Sequence, residues 1–491
     1  MEEQYIKLIF GLKLKQVRAD KKLSLFGLSK LTGLSKSYLN EIEKGKKYPK
    51  TDKIAILSEK LETPYDHLVS LKLDKNLAPV GDILQSKILK EIPLDLFGIK
   101  EATLIDIVAN APTKVNVFIS TIIEIAQHYN FTRESFYLAS VRSYQEANNN
   151  YFEDIEQHAL QFAKSYQIDL NKPIITKDLE DILIEEFGYS INETELEKHD
   201  ELDNLRSIYV PKSKTLLLAK HIDNSQRAFI YAKELAYNYL EYSERLYTFS
   251  WIKFDNFEQV LNNFYASYFA GALIIPRKKI TEQLQTLFSE ETFNKALFGN
   301  IIKHHNASPE SFYQRLTNIL PKDFNLQNLF FLRFSHKKGT AKYHLKKELH
   351  LTHQHSPRAN EVNEHYCRRW VSLKTLNTIT NSDDNHLFDI QISNYPETNN
   401  KYLVFSSATR DPFKKDHFRS ISIGLLINKQ LERKIAFLND PKLQVESVGV
   451  TCERCMIANC KQRVSEPHVI NKKTKDKTTE SIVEELSNKF S

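Results

Sequence analysis

The apolar period of this chain changes once. Up to about residue 300 apolar positions recur at helical spacing; from about 328 they alternate with a period of two, over 330–335, 387–392, 402–407 and 420–426. That switch predicts a multidomain protein, mainly α in its N-terminal two-thirds, with an α+β C-terminal domain built on mostly antiparallel sheet. The 491 residues correspond to about three domains at roughly 150 residues each. Only 12 Gly and 15 Pro favour long helices. The expected divisions are a small domain of five short helices over 1–70, a helical linker or dimerisation region over 71–170, a helical domain over 171–300, the sheet domain over 301–470, and a frayed charged tail over 471–491. From Thr132, an N-cap, towards Tyr166 the pattern predicts one helix of roughly 50 Å. Within 171–300 one hairpin is expected, Ile208-Tyr209-Val210 and Thr215-Leu216-Leu217-Leu218 about a Pro-Lys-Ser-Lys turn.

Composition narrows the class. The chain is 41% hydrophobic and 26% charged, a globular profile. The longest apolar stretch, 264–276, is too short for a membrane span and is interrupted by Tyr265, Ser267 and Tyr268. An acidic start without a signal-peptide pattern predicts a cytoplasmic protein with reduced thiols and no membrane partner. Residues 1–70 carry 14 Lys/Arg against 9 Asp/Glu, leaving 54 against 53 for the other 421 residues. The nucleic-acid candidate is therefore the N-terminus.

There, Ser24 caps a helix carrying Leu28 and Leu31, Thr32-Gly33-Leu34-Ser35 makes a turn, and a second helix runs from Lys36 to Glu43. Leu39 and Ile42 face the core, leaving Lys36, Ser37 and Asn40 for the major groove and Lys44, Lys46 and Lys47 for phosphates of a double-stranded operator. Through Phe10-Gly11, Arg18, Leu23-Ser24, Leu28, Gly33-Leu34-Ser35, 42–46 and Pro49 the segment resembles the Cro/C1-type (XRE) helix-turn-helix family, which implies a lambda repressor-like fold. Leu25 departs from it, standing where the family uses a polar residue.

In 227–237, Lys233 and Tyr237 occupy the positions where a zinc-peptidase helix carries its two His, and Glu234 stands where its water-activating Glu would be. With 265–276 the segment resembles the ImmA/IrrE metallopeptidases, and Tyr265 replaces their third, acidic ligand. An ammonium and two phenols make poor zinc ligands, so a degenerate zincin-like α+β domain without catalytic residues is expected. Lys233 and Glu234 are then surface or intra-helix charges on a structural helix pair, or line a pocket reused for an effector.

All four cysteines lie late: Cys452-x2-Cys455-x4-Cys460 on one loop, and Cys367 as the remaining candidate ligand. Four thiolates suit zinc or a cubane iron–sulfur cluster. Arg454, Lys461 and Arg463 are expected to lower the thiol pKa values. Cys367-Arg368-Arg369-Trp370, Ser422-Ile423-Gly424, 449–455 and Cys460-Lys461-Gln462-Arg463, with Arg142 to Glu146, Asn149 to Phe152 and Arg315-Leu316 upstream, resemble the short-chain fatty-acyl responsive regulators. That resemblance implies a transcription factor of carbon metabolism responding to an acyl-CoA-like effector, some relatives carrying an iron–sulfur cluster on these cysteines. Arg368 and Arg369 depart from it, standing where relatives often have Pro.

Two further groups are rich in basic side chains or histidine. Arg410, Lys414, Lys415 and Arg419 form a basic loop that would suit the phosphates of a CoA-like ligand or be plain solvated surface. His344, His350, His353, His355 and His365 are irregularly spaced, which predicts solvated surface over a metal cluster. The reading is a homodimeric, effector-controlled DNA-binding regulator, not an enzyme. A redox- or metal-responsive regulator using the cysteines, or a residual peptidase using Glu234, are the alternatives.

Overall fold

A computed structural model describes residues 2–71, 133–202, 205–246, 254–351 and 364–489. Most of the expected linker, 72–132, lies outside the described residues. Contacts divide the chain into two compact units, residues 1–140 and 141–491.

The first unit begins with five helices: α1 (Glu2–Asp20), α2 (Leu25–Thr32), α3 (Lys36–Glu43), α4 (Thr51–Lys60) and α5 (Tyr65–Val69). Phe10, Leu14, Leu28, Leu39, Ile42, Ile54, Leu57 and Leu68 form one core. At Gly11 a Cβ would lie 2.2 Å from the Ile42 carbonyl oxygen, so only glycine lets α1 and α3 touch. Lys13, buried at 2% exposure, donates to the His67 and Ser70 carbonyls at 2.8 and 2.6 Å. Its charge meets the negative end of α5.

The chain continues in α6 (Arg133–Ala147) and α7 (Glu153–Ser165). These replace the single long helix expected from Thr132. Asn149 and Asn150 both adopt positive φ, a conformation Asn tolerates and an α-helix does not. α8 (Thr176–Glu185) precedes β1 (Ser190–Asn192), and β2 (Ser207–Val210) pairs antiparallel with β3 (Thr215–Leu218) in the expected hairpin. β1 adds parallel to β3. Then follow α9 (Asn224–Tyr239), α10 (Phe257–Ile274), α11 (Arg277–Ser289), α12 (Lys295–His304) and α13 (Pro309–Asp323). Asp223 and Gln226 close a full capping box on α9.

A six-stranded sheet completes the unit: β4 (Leu329–Lys337), β5 (Tyr343–His350), then helix α14 (Val371–Thr380), β6 (His386–Tyr395), β7 (Asn400–Arg410), β8 (His417–Leu426), the short α15 (Lys429–Glu432) and β9 (Val445–Ser447). Strand order is β5-β4-β8-β7-β6-β9, antiparallel except for β9 beside β6. Both faces are buried. Phe331, Leu403, Phe405, Ile421 and Ile423 join the core built on α7 to α13, while Phe330, Leu332, Val404 and Phe418 pack with α14. The first of these cores runs from Phe152 to Leu443, so the helical and sheet segments drawn apart at residue 300 share one interior. The tail is an exposed helix, α16 (His468–Lys489), longer than the short frayed pattern expected there. Among the described residues no helix is long and apolar enough to cross a membrane.

Candidate functional site

Two capped helices and a left-handed glycine set the N-terminal site. Ser24 accepts from the Gly27 amide at 2.9 Å and Ser35 from the Tyr38 amide at 3.2 Å, fixing where α2 and α3 begin. Gly33, with φ of 72°, ends α2 in the left-handed conformation the tight turn requires. Leu39 and Ile42 are fully buried, which turns Lys36 and Ser37 outward, with Asn40 half-buried beside them. Lys44 and Lys46 are exposed, whereas Lys47 pairs with Glu41 at 3.4 Å. Arg18 grips Glu43 through two contacts, Nε to Oε1 at 2.6 Å and Nη2 to Oε2 at 2.8 Å, and donates to the Leu23 carbonyl at 2.8 Å. That clamp ties α1 to the end of α3. Leu25 packs against the core, which accounts for an apolar residue there. Leu31 is exposed at 42%, because in this two-turn helix Leu28 and Thr32 take the inward face.

The peptidase-like positions are occupied by their own network. Glu234 is buried at 6% exposure, accepts from the Tyr189 hydroxyl at 3.1 Å, and forms an ion pair with Arg245. The Arg245 guanidinium is sandwiched by the rings of Tyr209 and Tyr237 at 4.0 and 4.2 Å. Lys233 donates to Asn263 Oδ1 at 2.6 Å, and burial pulls its ammonium down to about 8. The Tyr265 hydroxyl bonds that of Tyr144 at 2.9 Å. Glu234 is thus buried and Lys233 half-buried, each bonded to a residue outside its own helix rather than standing as the surface or intra-helix charge expected of a purely structural pair. The arrangement does not fit zinc: neither imidazole is present, and a guanidinium holds the carboxylate. Arg245 carries no motif signal, since it lies beyond the end of α9 and reaches Glu234 only by folding back.

The cysteine loop is drawn to Cys367 by backbone pairing. Tyr366 bridges Thr451, the Cys367 amide donates to the Val450 carbonyl at 3.0 Å, and the Cys452 amide to that of His365 at 2.9 Å. At Gly449 a Cβ would sit 2.8 Å from Cys455 Sγ, so the glycine makes room for the sulfur. Arg463 donates to the carbonyls of Cys452, Cys455 and Ile457 at 2.8, 3.2 and 2.7 Å. Burial pushes the Cys367 thiol up to about 11 and raises Cys455 as well, with Arg463 only partly offsetting the latter. At these two thiols burial outweighs the lowering expected from Arg454, Lys461 and Arg463, and Arg454 pairs instead with Glu364 at 2.6 Å. Among the described residues no three His, Cys, Asp or Glu side chains are gathered as a metal would require. By their chemistry four thiolates would suit zinc or a cluster.

The basic loop does not converge. Thr409 pairs with Arg419 and Arg410 with Phe418, so Arg410 and Arg419 leave opposite faces of the sheet. Arg410 bonds the Ser382 and Asp384 carbonyls, Arg419 the Thr409 hydroxyl, and Lys414 and Lys415 are exposed. The histidines are not simply solvated either: His344 and His350 belong to β5, and His365 Nδ1 lies 2.8 Å from the buried Glu453 carboxylate. His353 and His355 lie outside the described residues.

A serine-capped reading helix, exposed cations beside it and a glycine turn define a helix-turn-helix DNA-binding protein. Residues 14–68 match the helix-turn-helix family model, and residues 184–317 match the model of the IrrE N-terminal-like domain. The chain thus carries a helix-turn-helix DNA-binding domain and, further on, an IrrE-like domain. Comparison with curated proteins finds no match. Among solved structures the chain is similar to a Mycobacterium tuberculosis transcriptional regulator, at 18% identity and a TM-score of 0.46, over 66% of this chain and 92% of that one.

Proposed function

We propose that residues 141–491 sense a small-molecule effector and thereby set the DNA affinity of a homodimer bound to an operator, and that the IrrE-like domain has no peptidase activity. The Glu234–Arg245 pair carries this reading: a carboxylate bound to a buried guanidinium cannot activate water, so the domain keeps its shape without that chemistry. The effector class, an acyl-CoA in the control of short-chain fatty-acid metabolism, rests on the cysteine-loop and Arg315 segments that resemble the fatty-acyl responsive regulators. Operator binding measured at fixed oxidation state against acetyl-, propionyl- and longer acyl-CoAs tests it. A chain-length-dependent change is the expected result, and none at saturating acyl-CoA overturns the effector. Proteolysis abolished by Glu234→Gln would restore an enzyme.

The second reading makes Cys367, Cys452, Cys455 and Cys460 the input, holding zinc or an iron–sulfur cluster that cross-links the loop to the segment before α14. Convergence of the two segments through the Tyr366–Thr451 bridge favours it. Metal content near one site per chain, with operator affinity lost on chelation or oxidation, is the expected outcome; metal-free protein with full affinity overturns it.

A further inference from the structure

A cavity of about 500 Å³ opens between the β4–β5 hairpin, α14 and the chain beyond Cys460. Arg368 forms part of its wall, beside Tyr343, Lys374, Asn377, Thr378 and Gln462. The Arg368 guanidinium lies 4.1 Å from the centroid of the Tyr343 ring, and that ring stacks on His336 at 4.4 Å. Two groups so close to one ring take opposite faces, so Tyr343 is held between them and the guanidinium plane is fixed. Arg368 Nη2 donates to the Ala341 carbonyl at 2.5 Å, whereas Nη1 is buried and has no hydrogen-bond partner.

The neighbouring cations are already satisfied. Lys374 donates to Gln391 Oε1 and Glu446 Oε2 at 3.0 and 3.1 Å, and Arg369 pairs with the same Glu446 at 2.9 Å. Arg368 has no ion-pair partner among the described residues, and its Nη1 meets no acceptor. A guanidinium held against a ring on the wall of a cavity, with one nitrogen short of an acceptor, is a prepared anion receptor.

We propose that this cavity binds a small organic anion, a carboxylate or a phosphate, whose charge is taken by Arg368. Asn377, Thr378 and Gln462 offer neutral hydrogen bonds around it, and the volume suits a small metabolite. Because Arg368 follows Cys367 and Gln462 follows Cys460 by two residues, an occupant touches both arms of the cysteine loop. Binding at Arg368 does not depend on how the chain controls DNA and is read directly.

Calorimetric titration of the full chain, separately with inorganic phosphate and with succinate, tests the site. Saturable binding of one per chain is expected, phosphate or succinate alone identifying which anion class the site takes. Arg368→Gln weakens it roughly tenfold to a hundredfold, the range of a charge-assisted contact. Thr378→Trp, introduced at an exposed position, fills the cavity and abolishes binding even if the Arg368 variant fails to fold. Lys401→Gln, an exposed cation outside the cavity, leaves the affinity unchanged. Binding of neither anion, or undiminished binding in Arg368→Gln or Thr378→Trp, overturns the proposal.

Discussion

Arg245 holds the carboxylate that a peptidase would reserve for water, and Lys233 beside it is left in a dry setting that disfavours its charge. An unfolded lysine keeps its proton to about pH 10.4, whereas Lys233 in the folded chain gives it up near pH 8, so the unfolded state holds more protons between these values. Stability contributed at this site therefore rises with pH across that window. Lys233→Met should flatten the rise by up to about 1.4 kcal/mol per pH unit, read from urea unfolding at pH 7, 8 and 9; parallel pH profiles for both proteins would refute it. A second buried pair makes the converse case. Arg315, 1% exposed, donates through Nη2 to Glu156 at 2.9 Å and through Nε to the Ile275 carbonyl at 3.0 Å, while Tyr268 bonds the same carboxylate at 2.9 Å. Arg315→Met strands that carboxylate and should cost about 3–5 kcal/mol in denaturant unfolding, with much of the loss recovered in the Glu156→Gln/Arg315→Met double variant. Equal losses in the single and double variants would show that packing, not charge, decides. The sequence singled out Lys233 and Glu234 by spacing but could not show what met them. Arg245 is a tertiary partner with no local signature.

Elements whose apolar pattern is strong were legible. Helices α2 and α3 carry caps, a turn glycine and two inward leucines, and β4, β6, β7 and β8 alternate over long runs. Strand β5 was missed because its sequence, Tyr343-His344-Leu345-Lys346-Lys347-Glu348-Leu349-His350, is an edge strand rich in charge, paired to β4 only along one side. The break between α6 and α7 was missed because three asparagines are weak helix formers rather than stop signals, and only the positive φ at Asn149 and Asn150 ends the helix. At the centre of the sheet, Gly424 lies under the Phe330 ring, where a Cβ would come within 2.2 Å of it. The contact is with the ring itself in a buried layer, so Gly424→Ala must displace Phe330 from the α14 core. A loss of about 1–3 kcal/mol in thermal or urea unfolding is expected, largely relieved by Phe330→Leu in the same chain. An alanine tolerated without cost would mean that the ring can rotate aside.

Over the whole molecule charge is distributed unevenly: residues 1–70 hold 14 basic against 9 acidic side chains, and the remaining 421 residues are nearly balanced at 54 against 53. The near-neutral remainder leaves the electrostatic part of DNA binding to the first unit, where Lys36, Lys44 and Lys46 stand exposed beside α3. Each lysine–phosphate contact releases condensed counterions on binding and contributes about 0.9 to the slope of log affinity against log salt. Lys44→Gln and Lys46→Gln should therefore each lower that slope by about one per bound subunit and weaken all DNA sequences alike. Asn40→Ala should leave the slope intact while narrowing the gap between operator and random DNA, since a neutral amide displaces no counterions and has the donor and acceptor that a base edge would require. Lys414→Gln and Lys415→Gln, equally exposed but in the loop between β7 and β8, should change neither quantity. Operator and random-sequence affinities measured across a salt series separate the three cases. A slope that falls with these loop lysines instead would place the DNA on the C-terminal unit and remove α3 as the reading helix.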